Sequence, residues 1–150
     1  MSYWDSSALV KLFATENDSA IFHEHVRRGG EMLATSELTR MELWSAFRRK
    51  ESEGEIGHGW AKTLLGKFDF GAARACWRFV ILTDAVRVEF ERIVERCCSQ
   101  TPSIFIRTLD ALHIAAARVA GEDEIVATDK RLRDAAVLLG FQLFPKPTSP

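Results

Sequence analysis

The chain has 150 residues, of which 47% are hydrophobic and 27% are charged. This length and apolar content fit one globular domain with a full core, and they exclude wholesale disorder and two separate cores. The 20 basic and 21 acidic residues give a net charge of −1, which excludes a polybasic nucleic-acid binder.

Strand-like and helix-like segments alternate in the first half of the chain. In chain order, the pattern predicts a strand at Ser2–Trp4, a helix capped by Ser7, a helix from about Ser19 to Gly29 and Gly30, a strand at Met32–Thr35, a helix capped by Ser36 from Leu38 to about Lys50, and, after a polar loop at Gly54–Gly59, a helix over Ala61–Ala75. Met41, Trp44 and Phe47 share one side of the third helix, and we expect that side to be buried.

The alternation continues in the second half. In chain order, the pattern predicts a strand at Trp77–Leu82, a helix capped by Thr83 or Asp84, a helix over Ile104–Ala120, a strand at Ile125–Thr128, a helix over Lys130–Leu139 and a strand at Phe141–Phe144. Residues 145–150 include three prolines, which predicts a flexible tail after a single domain of residues 1–144. The alternation indicates the α/β class, as a three-layer α/β/α domain with a mostly parallel central sheet.

Four acidic residues stand at positions where a parallel sheet would place a site. Asp5 and Asp129 each follow a predicted strand, and Glu42 and Asp110 lie inside amphipathic helices beside the apolar stripe. Each has an ordinary alternative when taken alone. Asp5 and Asp129 could be helix caps, Glu42 could pair with an arginine, and Asp110 could pair with Arg107.

Taken together, the four acids indicate a cation site. The carboxyl ends of parallel strands form the ligand-binding edge of such sheets, so Asp5 and Asp129 converge there, and the third helix can bring Glu42 to the same edge. Several carboxylates in one crevice repel, so some are protonated or a cation is bound. Oxygen ligands favour Mg²⁺ or Mn²⁺ over zinc, and such ions serve metal-dependent nucleases.

The four acids also lie in four local motifs. In chain order these are YWDSSALVK at residues 3–11, SELTRMEL at 36–43, RTLDALHIA at 107–115 and ATDKRL at 127–132. On these motifs, which together span the chain from Met1 to about Phe144, the sequence resembles the PIN-domain family and, within it, the VapC-like ribonuclease toxins of toxin–antitoxin systems.

The resemblance implies an endoribonuclease that depends on Mg²⁺ or Mn²⁺ and cleaves RNA with a metal-activated water. Carried over residue by residue, the catalytic and metal-holding acids are Asp5, Glu42, Asp110 and Asp129, with Asp5 and Asp110 central. The resemblance further implies a PIN-like fold, a small antitoxin whose segment occupies the active-site groove, and a homodimer of the toxin.

Other residues near the acids are weaker candidates. Ser6 and Thr128 are candidates for hydroxyls that orient carboxylates, although either could be a cap. Arg107 and Lys11 are candidates for contacts to substrate phosphates, with paired or solvated charges as the alternative. His113 lies on the same helix face as the third acid, and we expect a core or carboxylate-orienting histidine rather than a general base.

The remaining features bear on location and on competing functions. Three cysteines without C-x-x-C spacing and no apolar run near a membrane span of ~20 residues predict a cytoplasmic protein with reduced thiols and no membrane partner. The alternative function is a catalytically inactive PIN-like module that binds RNA or a protein. An aspartyl phosphotransferase is disfavoured, because Ser7 stands where a second acid is needed. Setting the four candidate ligands aside leaves 20 basic against 17 acidic residues, so the charge does not exclude a ribonuclease.

Overall fold

The computed structural model of the chain describes residues 2–29 and 32–147. The described residues form five strands and seven helices, and the predicted alternation is confirmed. In chain order these are β1 (Ser2–Trp4), α1 (Ser6–Phe13), α2 (Ser19–Gly29), β2 (Leu33–Ser36), α3 (Thr39–Ser52), α4 (Trp60–Ala73), β3 (Trp77–Val80), α5 (Asp84–Cys98), α6 (Thr108–Val119), β4 (Glu124–Val126), α7 (Lys130–Leu138) and β5 (Gln142–Phe144).

The five strands form one sheet in the order β3-β2-β1-β4-β5, and all four pairings are parallel. The predicted parallel sheet is therefore confirmed. The central strand β1 pairs on both sides, with Tyr3 opposite Ala34 of β2 and Ile125 of β4. The chain builds the sheet outward in one direction through β2 and β3, and in the other through β4 and β5. The strand order therefore reverses beside β1, and in such sheets that point is where ligands bind.

Alternate residues along the strands face two separate cores. Trp4 and Val126 pack with α1, α2, α3 and α4 on one face of the sheet. Tyr3 and Ile125 pack with α5, α6 and α7 on the other face. This alternation is the period of two that a buried strand imposes on its side chains. It confirms the predicted three-layer α/β/α arrangement.

The sequence-based prediction is wrong about the start of α6. This helix begins at Thr108 and not at Ile104, and residues 103–107 have no regular secondary structure. Ile104 and Ile106 pack against the core, whereas Phe105 between them is 82% exposed. Every second residue of this segment thus points toward the core, which is the spacing of an extended backbone and not of a helix.

Two predicted caps are also wrong. The N-cap of α1 is Asp5 rather than Ser7, and α3 begins at Thr39 after a Leu38 N-cap that makes no side-chain cap bond. Ser36 instead ends β2 and accepts a hydrogen bond from the backbone N–H of Leu38. The predicted Thr83 cap of α5 is confirmed, since its hydroxyl accepts a bond from a backbone N–H of the first turn.

The buried side of α3 differs from the prediction. Met41 is 59% exposed and Trp44 is 39% exposed, whereas Leu43 and Phe47 are fully buried. Leu43 and Phe47 are four residues apart, so they lie on the same face of the helix and pack into the core on that side of the sheet. Trp44 lies on the outer side, where the guanidinium of Arg48 covers its ring.

Smaller differences occur at the element ends. The strand-like stretches predicted through Leu82 and Thr128 stop two residues earlier. Gly30 lies outside the described residues, as do residues 148–150 of the predicted tail. The carbonyl of Pro145 in the described part of that tail accepts a hydrogen bond from Arg133. All three cysteines have free thiols, and none of the described helices is long and apolar enough to cross a membrane.

Candidate active site

All four predicted acids line one cleft at the carboxyl end of the sheet. Asp5, Glu42, Asp110 and Asp129 face a cavity of about 310 Å³. Asp5 follows β1, Asp129 follows β4 by three residues, and Glu42 and Asp110 come from the first turns of α3 and α6. The cleft therefore lies at the carboxyl ends of the strands, next to the point where the strand order reverses. This is where a parallel sheet is expected to place a ligand site.

Asp5 is held in place by the backbone of α1. Its Oδ2 accepts a hydrogen bond of 2.9 Å from the backbone N–H of Ser7, and only 4% of the residue is exposed. This bond is the N-cap of α1, where the helix dipole also stabilises a negative charge. The second oxygen, Oδ1, lies 3.6 Å from Nε2 of His113, which is beyond hydrogen-bond distance.

Asp129 is likewise both a cap and a cleft residue. Its Oδ1 accepts hydrogen bonds of 2.9 and 3.2 Å from the backbone N–H groups of Arg131 and Leu132 at the start of α7. Burial raises the pKa of this carboxyl, but the hydrogen bonds from Leu132 and from Arg107 outweigh burial and leave the pKa below its usual value. The side chain is therefore a fixed carboxylate at neutral pH.

Ser7 ties the two strand ends together, a role that the sequence did not reveal. Its hydroxyl accepts hydrogen bonds from the backbone N–H groups of Thr128, at 3.0 Å, and Asp129, at 3.4 Å. The Thr128 hydroxyl donates to the Ser7 carbonyl at 3.3 Å. These bonds fix the loop after β4 against the start of α1, and so fix Asp129 relative to Asp5.

Glu42 is oriented by a chain of buried polar groups. The Nε2–H of His113 donates to Oε2 of Glu42 at 2.6 Å, and Nδ1 of the same ring lies 2.8 Å from the hydroxyl of Tyr3. The histidine is 1% exposed and the tyrosine is fully buried. His113 is thus the buried histidine that we expected to orient a carboxylate. Tyr3 adds a further hydrogen bond to this series, which the sequence did not indicate.

The hydrogen-bonded series of Tyr3, His113 and Glu42 shifts the pKa values of both His113 and Tyr3. Burial lowers the pKa of His113, but the hydrogen bond to Glu42 and the nearby carboxylates of Asp5, Glu42 and Asp110 outweigh burial and raise it above the usual value. For Tyr3, burial and then the charges of Asp5 and Glu42 raise the pKa well above that of a free tyrosine. The hydroxyl of Tyr3 therefore keeps its proton throughout the physiological range.

Arg107 bridges the other two acids. Its Nε donates to Oδ2 of Asp110 at 2.8 Å, and its Nη2 donates to Oδ2 of Asp129 at 2.7 Å. The pairing with Asp110 was one of the alternatives open from the sequence, but the bond to Asp129 was not expected. Hydrogen bonds to these two carboxylates raise the pKa of the guanidinium further above its already high value.

The other candidates lie at the edge of the cleft. Ser6 lines both the cleft and the adjoining groove, whereas Thr128 lines the groove alone. The hydroxyl of Thr128 bonds to backbone rather than to a carboxylate. Lys11 is 8% exposed, and its ammonium pairs with Glu16 and Asp18. These ion pairs neutralise the lysine, while its contact with substrate phosphate stays a prediction.

The donor set fits a hard divalent cation. Ligand atoms of Asp5, Glu42 and His113 lie within 4.8 Å of one another, and Asp5 is a nearly buried acid that lines the cleft. Both nitrogens of His113 are engaged by Glu42 and Tyr3, so oxygen atoms are the free donors. Oxygen donors are those that Mg²⁺ and Mn²⁺ prefer.

A larger groove continues from the cleft. It encloses about 580 Å³ and shares Ser6, Ser7, Glu42 and Leu109 with the cleft. From there it runs along α1 and α3 toward Arg49 and Lys50. Apolar residues line its middle and basic residues line its far end. The combined space can hold an extended chain that is longer than a single small molecule.

Comparisons with known proteins agree with this architecture. The model of the PIN domain family matches residues 2–138. The chain is 32% identical to "Ribonuclease VapC46" of Mycobacterium tuberculosis over 141 residues, which cover 93% of this chain and 92% of that protein. The structure of VapBC2 from Rickettsia felis bound to a DNA fragment from their promoter has a TM-score of 0.64 at 13% identity and covers 95% of this chain and 97% of its own. A toxin-antitoxin complex from Klebsiella pneumoniae has a TM-score of 0.58 at 12% identity. The match covers 86% of this chain and 87% of the chain in that structure.

Proposed function

The chain belongs to the PIN domain family, and from that premise we propose that it is the ribonuclease toxin of a toxin–antitoxin pair. In this proposal it hydrolyses RNA phosphodiester bonds with Mg²⁺ or Mn²⁺ held by Asp5, Glu42, Asp110 and Asp129. The observation that supports it most is the convergence of these four acids, from four separate elements, on one cleft. The similarity to a relative named as a ribonuclease supports the same activity.

The chain's own residues supply positioning. A bound divalent ion would act as a Lewis acid that activates water and stabilises charge on the phosphoryl oxygens. Asp5 and Asp129 are fixed by backbone N–H groups, so their carboxylates need little rearrangement to bind a cation. His113 holds Glu42 in one orientation. Such preorganised acids are what electrostatic catalysis at a phosphate requires.

The groove beside the cleft suits a single RNA strand. Arg49 at its far end provides positive charge for phosphates, while Met41 and Leu109 offer apolar surface to bases. The neighbouring Lys50 is paired with Glu16 and Glu55. A strand laid along α3 would pass the four acids with its backbone. We propose that an antitoxin segment occupies the same groove, which the similarity to a toxin-antitoxin complex supports, and that the toxin forms the homodimer expected from the family resemblance.

The test of the activity is a cleavage assay on RNA. We expect the purified chain to cut RNA in Mg²⁺ or Mn²⁺, to stop on addition of EDTA, and to lose activity in Asp5→Asn and Asp110→Asn. Asp69→Asn is the matched control, because Asp69 is an exposed acid that pairs with Arg40 outside the cleft. A folded, metal-supplied protein that binds RNA without cutting it would instead favour the inactive binding module.

The partner proposals have separate tests. Co-expression with the product of a small open reading frame adjacent to this gene is expected to give a stable complex that no longer cuts RNA. Light scattering on the isolated chain is expected to give twice the mass of 16.9 kDa. A monomer at all concentrations would refute the homodimer while leaving the ribonuclease proposal intact.

A further inference from the structure

The four acids line one cleft but form two separate groups. Asp5 and Glu42 lie together beside His113. Asp110 and Asp129 are joined to each other by the guanidinium of Arg107. A single charged side chain thus stands between two of the four carboxylates that are proposed to share a cation.

The contacts of Arg107 are those of a counter-ion. Nε and Nη2 reach Oδ2 and Oδ1 of Asp110 at 2.8 and 3.3 Å, and Nη2 reaches Asp129 at 2.7 Å. Asp110 is only 7% exposed. A carboxylate that is removed from water needs a positive partner, and a planar guanidinium satisfies it with a two-pronged contact.

Arg107 is also the movable member of the group. It is the last residue of the irregular segment 103–107, and its side chain is 52% exposed. Asp129 is fixed by the N–H groups of α7, and Asp110 is a buried residue of α6. Rotation of the arginine toward solvent would release both carboxylates without moving a helix or a strand.

We propose that Arg107 occupies the cation position between Asp110 and Asp129, and that a divalent metal ion must displace it to bind there. The inference rests on the proposed function, because it takes these acids as the metal-binding set. Metal and arginine then compete for the same carboxylate oxygens, and binding of one weakens binding of the other. Once displaced, the guanidinium remains at the mouth of the cleft, where it can contact a phosphate of the RNA.

Competition makes a prediction that a purely structural ion pair does not. In the metal-free full chain, the Arg107 Nε–H should give a distinct ¹⁵N NMR signal that is missing in Arg107→Gln. Titration with Mg²⁺ should shift or broaden this signal at the concentrations that saturate the site. By calorimetry, Arg107→Gln should bind Mn²⁺ more tightly than the unchanged protein, by about tenfold, with Arg107→Lys in between.

The matched control is Arg40→Gln. Arg40 makes the same two-pronged contact with Asp69, at 2.8 Å for both bonds, on the outer surface. Its removal should leave Mn²⁺ affinity unchanged. Circular dichroism identifies a variant that fails to fold, and Arg107→Lys together with the NMR titration of the unchanged protein then decides the question.

The outcomes separate this inference from the proposed function. If the unchanged protein binds Mg²⁺ and cuts RNA while the Arg107 signal is unaffected, or if Arg107→Gln binds Mn²⁺ no more tightly, the displacement is refuted and the ribonuclease proposal stands. If the unchanged protein neither binds a divalent ion nor cuts RNA, both are refuted. Tighter Mn²⁺ binding combined with weaker RNA binding in Arg107→Gln would support the displacement and the phosphate contact together.

Discussion

His113 and Glu42 are joined by a hydrogen bond of 2.6 Å that connects the two helical layers across the end of the sheet. The histidine belongs to α6 on one face and the glutamate to α3 on the other. The orientation of a cleft carboxylate thus depends on a residue in the opposite core. Interactions of this kind commonly tune the ligands of a metal site.

We predict that His113→Ala lowers RNA cleavage or metal affinity by about 10- to 100-fold, because Glu42 loses the bond that orients it. Loss of a buried ring also lowers stability, so unfolding is measured in parallel. Tyr3→Phe is the comparison variant, since it removes only the hydroxyl that contacts the other nitrogen of the His113 ring. It should lower activity less than His113→Ala does. Equal Mn²⁺ affinity and turnover in His113→Ala and the unchanged protein would contradict the orienting role.

Ser7→Ala is predicted to destabilise the fold by about 1–3 kcal/mol, because the backbone N–H groups of Thr128 and Asp129 lose their acceptor. Urea denaturation at pH 7 measures the difference. Ser6→Ala is the matched control from the same helical turn. Ser6 is half-buried like Ser7 but is not the acceptor for Thr128 and Asp129, so its loss should change stability by less than about 0.5 kcal/mol. Similar denaturation midpoints for the two variants would contradict the tie between the loop after β4 and α1.

The sequence predicted the place of the acids well, for a definite physical reason. Parallel strands converge at their carboxyl ends, so Asp5 and Asp129 could be placed together from their positions after two strands. The roles of Ser7 and Tyr3 were not predicted, because each depends on a partner more than 100 residues away in the chain. No local pattern reports such a contact.

The bridge made by Arg107 was missed for a related reason. The sequence pattern predicts a helix over Ile104–Ala120. In such a helix, Arg107 would belong to the first turn. The structure starts α6 at Thr108 and gives Arg107 an extended backbone, with φ −75° and ψ 152°. This conformation accompanies a contact with Asp129, 22 residues away, that no helical period could indicate.

The ion cluster of Glu16 predicts a specific dependence of stability on pH. Burial raises the pKa of this carboxyl, but hydrogen bonds from Lys11 and Lys50 outweigh burial and leave the pKa below its ordinary value of 4.5. The folded state therefore binds fewer protons than the unfolded state near pH 4.5. The stabilisation is complete above this value and is lost as the pH falls through the lower pKa of the folded state.

Glu16→Gln should accordingly be less stable than the unchanged protein at pH 7, and the difference should shrink as the pH falls below 4.5. Urea denaturation at pH 7, 5 and 3.5 follows the difference. Glu91→Gln provides the control, because Glu91 is exposed and forms no ion pair within residues 2–29 and 32–147. A pH-independent difference for Glu16→Gln would show that packing rather than charge is responsible.

Arg49 tests whether RNA follows the groove along α3. The residue is exposed and lines the far end of the groove, so we expect its side chain to contact a phosphate more than one nucleotide from the cut. Arg49→Gln should then weaken RNA binding and lower the slope of log affinity against log salt by about 0.7, the value for one contact to a single strand. The cleavage rate at saturating RNA should change little, because the four acids are untouched. Arg96→Gln, an exposed arginine on α5, is the control and should leave the slope unchanged. An unchanged slope in Arg49→Gln would place the RNA outside the groove.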